Sequence, residues 1–548
     1  MSNNQSIALE RFINSDQSLE HAQWALLQQI LSAQQSCRFG QHHNFSAINS
    51  PDAYRRLPLM TYDQVAGFPD YWTDTRNFTV SRLSAYFLTS GSSATPKKIP
   101  VTSEFVRQKA RAFSLFWDAI YRDHPAIKTG RLIANFGDSG HSERNAQNIT
   151  ELSETTFWNQ RMQGFQSSER WPIPRQLVAI ADASQRYYAA ARLALQGELH
   201  CLMSLNPSTL VKFCEIIEAS TESLARGLHD GTWGIAALDA RSDLPDQLTS
   251  RLQRNQQQAQ NVQSWHGNGR RQLKALWPAL ELIICWQSEL VSPYLDILKR
   301  HAEGIAFRDY ITQSSECIMA IPMADTLPGG LLAYTSHYYE FIPANSVEDT
   351  SPQTTPAWAL EKGKRYELVV TTAGGLYRYR TADCLAVTGH VNGVPHLSFQ
   401  YRFGRTSSIT GEKLTEQQVV HALEESGMHE VLARSDVFVY PKTGERPHYA
   451  VLVDEAALQP GVDETTLSTW VGRFHEELGK ANGEYKDKCG SLRLGEPEVV
   501  VTNDDGMQSL HDRFRAKHVG DDQYKPGILR RERDLDSTLS IKTIPDED

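Results

Sequence analysis

Apolar residues recur at helical spacing in LERFINS and in AQWALLQQILSAQ, so the chain up to about Asn77 reads as helical with a polar surface. The pattern then shortens. SAYFLTS (84–90) reads as a strand running into a Ser/Gly loop. EFVRQKARAFSLFWDAIYRD (104–123) reads as a helix with Phe105, Phe113, Phe116, Trp117 and Ile120 on its buried side. Strand, small-residue loop, helix is the order expected at a phosphate site. RLIANF (131–136) and LELIICW (280–286) read as buried strands. QRYYAAARLALQGELHCLM (185–203) reads as a helix, and the Gln-, Arg- and Asn-rich stretch 251–271 as a solvated helix ending in a Gly-containing turn.

Further on, YELVVTT (366–372) predicts a strand, a Gly-Gly turn follows, and YRYRTADCLAVTG (377–389) predicts a second strand. The best domain boundary lies near 400–413. Beyond it a helix (416–427), two strands (436–440 and 448–453), a long helix (466–482) and a strand (496–502) alternate. That alternation suits an independent α/β unit of about 140 residues, close to the commonest domain size.

Composition narrows the function classes. The chain has 548 residues, 40% of them hydrophobic and 22% charged, which is ordinary globular usage. A formal charge of −10 argues against a nucleic-acid partner, since phosphate binding shows as a basic excess. Seven scattered cysteines with no C-x-x-C pair point to reduced thiols rather than a zinc site or a disulfide framework. No signal peptide and no membrane-spanning run is visible, so the expectation is a cytoplasmic protein without a membrane partner, as a monomer or weak homodimer.

Five constellations carry candidate chemistry, and each has a plain alternative. Thr89-Ser90-Gly91-Ser92-Ser93-Ala94-Thr95-Pro96-Lys97-Lys98 can converge N–H and O–H groups on phosphate oxygens, with lysine charge at its end, or be an ordinary turn. It is not a Walker loop. Ser314-Ser315-Glu316 can hold Mg2+ bridging nucleotide phosphates, or be a helix cap. Asp383, after the strand carrying Leu376-Tyr377-Arg378-Tyr379-Arg380, can accept from both ribose hydroxyls, or sit in a strand-end turn. Gly404-Arg405 through Gly411-Glu412-Lys413-Leu414 suits a hinge or a linker. Lys525, in Gln523-Tyr524-Lys525-Pro526-Gly527, can reach a reacting carboxylate, or be one exposed lysine among many.

Taken in this order, the five resemble the Gretchen Hagen family of acyl acid–amino acid synthetases, the auxin- and jasmonate-conjugating enzymes of plants, which also has bacterial members and belongs to the adenylate-forming superfamily. The resemblance runs from about Leu57 to about Arg530 and includes LWP (276–278), ITQSSEC (311–317), YYEFIP (338–343), YELVVTTAGGLYRYRTAD (366–383) and DDQYKP (521–526). It implies a mixed α/β fold. A large N-terminal adenylate-forming domain (1–403), with β-sheets packed by helices, would hold the ATP and acyl-acid sites. A small mobile α/β C-terminal domain (404–548) would turn about a hinge near 402–413.

The resemblance also implies roles. Ser90, Gly91, Ser92 and Ser93 would line the phosphate loop, with Lys98 or Lys97 at its end. Glu316, beside Ser315, would face Mg2+ and the phosphates, Asp383 would hold the ribose, and Tyr379 would join the nucleotide site. Arg402 or Arg405, with Lys413, would lie at the hinge, and Lys525 would be the lysine carried in by the small domain. Thr312 stands where an aromatic residue stacks on adenine, and Thr95 and Ala382 stand where the family has glycine. The substrates implied are ATP, a small carboxylic acid (aromatic acids included) and an amino acid acceptor, joined through an acyl-adenylate. Two other readings stay open: an acyl-CoA ligase sharing the adenylation step, and a catalytically silent nucleotide-binding protein.

Overall fold

The structure is a computed structural model. It describes residues 2–14, 17–67, 75–89, 97–134, 142–144, 149–161, 170–267, 272–287, 292–325, 327–347, 349–403, 406–407, 409–410, 412, 414–434, 436–443, 446–490, 494–503, 505–515 and 527–541.

The strands Leu83–Thr89 and Lys97–Thr102 form an antiparallel hairpin whose first strand also pairs in parallel with Thr150–Leu152. The chain enters the helix Ser103–Asp123 directly from this hairpin, because the Thr102 hydroxyl accepts the Phe105 N–H at 3.2 Å and satisfies one of the open donors of the first turn. Phe105, Phe116 and Ile120 are fully buried as the spacing predicts, whereas Phe113 and Trp117 are only half-buried. The same buried stripe carries Lys109, an unexpected charge on an apolar face.

A parallel sheet of Leu132–Ala134, Cys201–Met203, Leu282–Ile284 and Ala306–Arg308 is covered by helices on its way through the first half of the chain. Here two expectations change. The region 185–203 is not one helix: it is helical only to Ala194, turns through Gly197, and returns as the strand Cys201–Met203. The helix Gln256–Gly267 is not fully solvated either. Ala259, Val262 and Trp265 form an apolar stripe, packed into the core that holds Leu224 and Leu228, which the Gln-rich composition hides.

The largest sheet has eight strands, antiparallel throughout, in the order 355–356, 338–343, 365–371, 379–391, 394–402, 330–332, 318–321, 312–313. In the last third, Phe438–Lys442, His448–Asp454 and Glu498–Thr502 form a separate sheet. Their alternation divides them between two cores. Val439, Val451 and Val453 pack with Trp470 and Phe474, while Phe438, Tyr440 and Leu452 pack with Met507 and Phe514. Leu529 extends this sheet as a bridge to Val439. An ion pair of 3.5 Å, Arg365 to Glu424, joins the large sheet to the helix Glu416–Glu425. Among the described residues no helix is long and apolar enough to cross a membrane. Six cysteines are buried, Cys489 is half-buried, and all seven are free.

Candidate active site

Asp383 is placed by an irregularity in the largest sheet. Glu367 pairs with Cys384 and Val369 with Arg380, so Thr381, Ala382 and Asp383 stand opposite Leu368 alone. Such a bulge re-aims side chains, and one residue of it commonly takes a left-handed conformation. Ala382 does so, at φ 62°. Its N–H is held by Glu367 at 3.2 Å, its carbonyl accepts from Phe403 at 2.6 Å, and the Thr381 hydroxyl donates to Leu368 at 3.0 Å. Asp383 is thereby buried to 1% exposure, yet neither carboxylate oxygen has a hydrogen-bond partner among the described residues. Arg402 lies opposite it in the register, with Nε 4.0 Å from Oδ1 and Nη2 donating to the Thr381 carbonyl at 3.1 Å.

Glu316 comes from the edge of the same sheet, whereas Asp383 lies on an interior strand. Ser314 and Cys317 exchange two backbone hydrogen bonds, of 2.9 and 3.2 Å, and close a tight loop whose tip is Ser315-Glu316. Both tip residues are buried, Glu316 to 2% exposure. Thr312 and Gln313 form the short strand leading into it, Thr312 opposite Ala320 and Gln313 opposite Ile318.

The two lysines after the small-residue loop separate by strand alternation. Lys98 pairs with Glu151 at 2.7 Å and its N–H donates to the Tyr62 hydroxyl at 2.8 Å. Lys97 turns the other way, 5.1 Å from the Tyr62 ring centre. Burial pushes its ammonium below the ordinary lysine range, Arg402 pushes the same way, and Glu316, Asp63 and Asp383 oppose. Arg402 in turn is raised, first by Asp383, with Glu316, Tyr379 and Glu367 adding to the effect against the cost of burial. Burial raises the Tyr62 hydroxyl, and Glu316 is among the charges that add to it.

Glu316, Asp383, Arg402, Tyr379 and Lys97 therefore share one electrostatic neighbourhood, although they come from separate parts of the chain. Lys98, favoured by the sequence as the loop-end cation, has its ammonium on Glu151 instead. Ser90, Gly91, Ser92, Ser93, Thr95, Arg405, Lys413 and Lys525 lie outside the described residues. Sequence reasoning missed Lys109, Glu154 and Tyr62. The one signal was a lysine at the apolar spacing of Phe105, Ala112 and Phe116.

Two buried acceptor oxygens on one carboxylate fit a pair of adjacent hydroxyls, as on a ribose, because an unpaired buried carboxylate is costly until donors reach it. Among the described residues no group of three or more His, Cys, Asp and Glu side chains gathers to hold a metal by itself. A lone Glu316 at a loop tip instead fits the way magnesium binds, through one or two carboxylates together with phosphate oxygens.

The chain that carries this arrangement belongs to a known family. The chain matches the GH3 family N-terminal domain over residues 8–307, the GH3 family central domain over 330–402 and the GH3 family C-terminal domain over 417–534. It is a member of the GH3 family. Its relatives include the indole-3-acetic acid-amido synthetase GH3.6 of Arabidopsis thaliana, 22% identical over 92% of this chain and 88% of that protein. Another is the probable indole-3-acetic acid-amido synthetase GH3.4 of Oryza sativa subsp. japonica, 25% identical over 87% of this chain and 80% of that one. In fold the chain is similar to the solved AtGH3.15 acyl acid amido synthetase in complex with 2,4-DB. The TM-score is 0.79 at 19% identity, covering 100% of this chain and 99% of that one.

Proposed function

We propose that this chain is an ATP- and Mg2+-dependent acyl acid–amino acid ligase. It joins a small carboxylic acid to AMP with release of pyrophosphate, then passes the acyl group to the amine of an amino acid and releases AMP. Membership of the GH3 family supports the class of reaction. The observation that carries the reading is the buried carboxylate of Asp383, without a hydrogen-bond partner among the described residues and in the electrostatic neighbourhood of Glu316, Lys97 and Arg402.

A free carboxylate is a poor acyl donor, because its charge repels nucleophiles and oxide would have to leave. Attack of its oxygen on the α-phosphorus of ATP forms a mixed anhydride with AMP as a good leaving group. Chemistry of this kind depends on positioning and on charge stabilisation. Asp383 would accept from the ribose hydroxyls and fix the nucleotide, with the Arg402 guanidinium beside it. Lys97 would bring positive charge to the phosphates, with the hydroxyls of Ser90, Ser92 and Ser93. Glu316, with Ser315 beside it, would hold magnesium, which supplies positive charge against the phosphate oxygens when bound. Thr312 would border the adenine without stacking on it.

The small domain, 404–548, would turn about residues 402–413, with Arg405 and Lys413 near the nucleotide, and carry Lys525 to the reacting carboxylate. Half-buried Phe113 and Trp158, with Phe113 ring centres 5.9 Å from Trp158 and 6.5 Å from Tyr310, support an aromatic acid as the acyl substrate.

The test is acid-dependent exchange of pyrophosphate into ATP across a panel of aromatic and short-chain acids, followed by product mass spectrometry with mixed amino acids or CoA. Amide products are expected. No exchange with any acid would sink the reading, and thioester products would move it to an acyl-CoA ligase. Lys525→Ala should lose adenylation by about three orders of magnitude, yet convert supplied acyl-adenylate to amide at the wild-type rate. Equal loss in both steps would remove Lys525 from the proposal.

A further inference from the structure

The side chain of Lys109 is completely buried in the middle of the helix Ser103–Asp123. Its ammonium donates to Glu154 Oε1 at 2.6 Å and to the Ser314 carbonyl at 2.8 Å. It lies 5.7 and 5.4 Å from the ring centres of Phe87 and Phe105. Ser314 is the first residue of the loop that ends at Cys317, and its carbonyl already accepts the Cys317 N–H at 3.2 Å. With Lys109 added, both lone pairs of that oxygen are used, so the loop is pinned at its base. Glu154 Oε1 also accepts from Trp158 Nε1 at 3.1 Å, and Trp158 packs on Phe113. One ammonium thus joins the aromatic cluster to the loop whose tip is Glu316.

We infer that Lys109 is a positioning residue for Glu316: its buried ammonium holds the base of the Ser314–Cys317 loop and fixes where the Glu316 carboxylate points. Packing alone does not call for a charge here, since apolar residues of similar volume fill such a site at less cost than a buried ion pair. The contact that packing leaves unexplained is the one to the loop carbonyl. The inference rests on the reading that Glu316 holds the magnesium nucleotide.

The single variant Lys109→Met should strand the Glu154 carboxylate in the core and lose too much stability to be informative. Lys109→Met combined with Glu154→Gln removes both charges together and keeps an acceptor for Trp158. The measurement is calorimetric binding of a non-hydrolysable ATP analogue, with magnesium and with chelator, to wild type, the double variant, Glu154→Gln and Glu316→Gln. The double variant should bind the magnesium analogue about tenfold more weakly, with metal-free binding unchanged. Its KM for Mg-ATP should rise more than its kcat falls. Glu154→Gln leaves Lys109 a side-chain acceptor and its bond to the Ser314 carbonyl, so its stability should fall while its folded fraction keeps magnesium-dependent binding. Wild-type magnesium-dependent binding by the double variant, when Glu316→Gln is weakened, would overturn the inference and leave the reading of Glu316 standing. Unweakened binding by Glu316→Gln would overturn that reading, and the inference with it.

Discussion

The run Tyr377–Asp383 holds buried charge of two kinds. Arg378 is 4% exposed and saturated. It makes a bidentate pair with Glu340 at 2.9 and 3.0 Å, donates to the Thr354 hydroxyl at 3.0 Å, and reaches the carbonyls of Arg55 and Leu57. Arg380 pairs with Glu367 at 2.6 Å and donates to the Val347 carbonyl at 3.0 Å. Three residues later, Asp383 is more deeply buried than Arg380, and its carboxylate oxygens have no hydrogen-bond partner among the described residues. The first two charges tie strands and an early helix together, and every donor they spend is spent inside the fold. The third has been brought indoors with Arg402 at ion-pair distance but without a hydrogen bond among the described residues. Buried charge alone therefore does not mark a site, whereas buried charge without its donors does.

If that distinction holds, damage to the two ends should separate into stability and activity. Arg378→Met leaves the Glu340 carboxylate unpaired at 1% exposure, which typically costs about 3–5 kcal/mol. Urea unfolding should show that loss, while KM for ATP of the protein that remains folded is unchanged. A variant as stable as wild type would mean that Arg378 and Glu340 are not a structural pair. Asp383→Ala should do the reverse. Losing an acceptor for two hydroxyls should lower kcat/KM for ATP by about 3 kcal/mol, roughly a hundredfold or more. Unfolding stability should stay level or rise, because an unsatisfied carboxylate leaves the interior. A large fall in stability with unchanged kinetics would put Asp383 in the same class as Arg378.

Much of this was legible in the chain, and the parts that were not have physical reasons. Strand alternation located the sheet around Asp383, whereas Ser314-Ser315-Glu316, open to being a helix cap in the sequence, forms the tip of a tight loop between two strands. Period alone could not divide 185–203 into helix and strand, because LALQGELHCLM stays apolar on both sides of Gly197. Nor could it say which side each of two adjacent lysines takes, since that depends on pairing register: Lys97 lies over the Tyr62 ring and Lys98 meets Glu151. The Lys109–Glu154 pair spans separate segments, and neither residue alone announces the other. The spacing placed Asp383 just after a strand, whereas it lies within the strand Tyr379–Val391, at a bulge that appears only in the pairing of Glu367 with Cys384 and Val369 with Arg380.

A second unpartnered group sharpens the contrast from the neutral side. His337 is fully buried, with neither ring nitrogen hydrogen-bonded among the described residues, stacked on Phe105 at 5.7 Å. Burial, helped by the nearby Lys109 charge, pushes it down from 6.5 to about 3. In the unfolded chain the ring takes a proton below about pH 6.5, whereas in the fold it does not until about pH 3. The unfolded state binds more protons in that window, so stability falls as pH drops through it, by about 1.4 kcal/mol per unit, and is unaffected above it. His337→Phe should flatten the slope of unfolding free energy against pH between about pH 4 and pH 6 by that amount. Equal slopes in both proteins would mean that the folded ring protonates as an ordinary histidine does, and that a neutral orphan of this kind is not confined to its buried form.

The smallest effect lies where the two kinds of charge meet. Ala382 follows the Arg380–Glu367 pair, precedes Asp383, and holds φ 62°, a conformation that costs an L-residue about 1–2 kcal/mol. Glycine has no Cβ to clash there, but it gives the unfolded chain more freedom, worth about 0.4–1 kcal/mol in the opposite direction. Ala382→Gly should therefore stabilise the protein by about 0.5–1 kcal/mol, read as a higher urea midpoint. The Ala382 N–H to Glu367 bond is a backbone bond and survives the change, so Asp383 should keep its place and kcat/KM for ATP its value. A stability gain accompanied by lost activity would show that the strain at Ala382 itself holds Asp383 open. The bulge would then belong to the functional end of the run rather than to the frame that supports it.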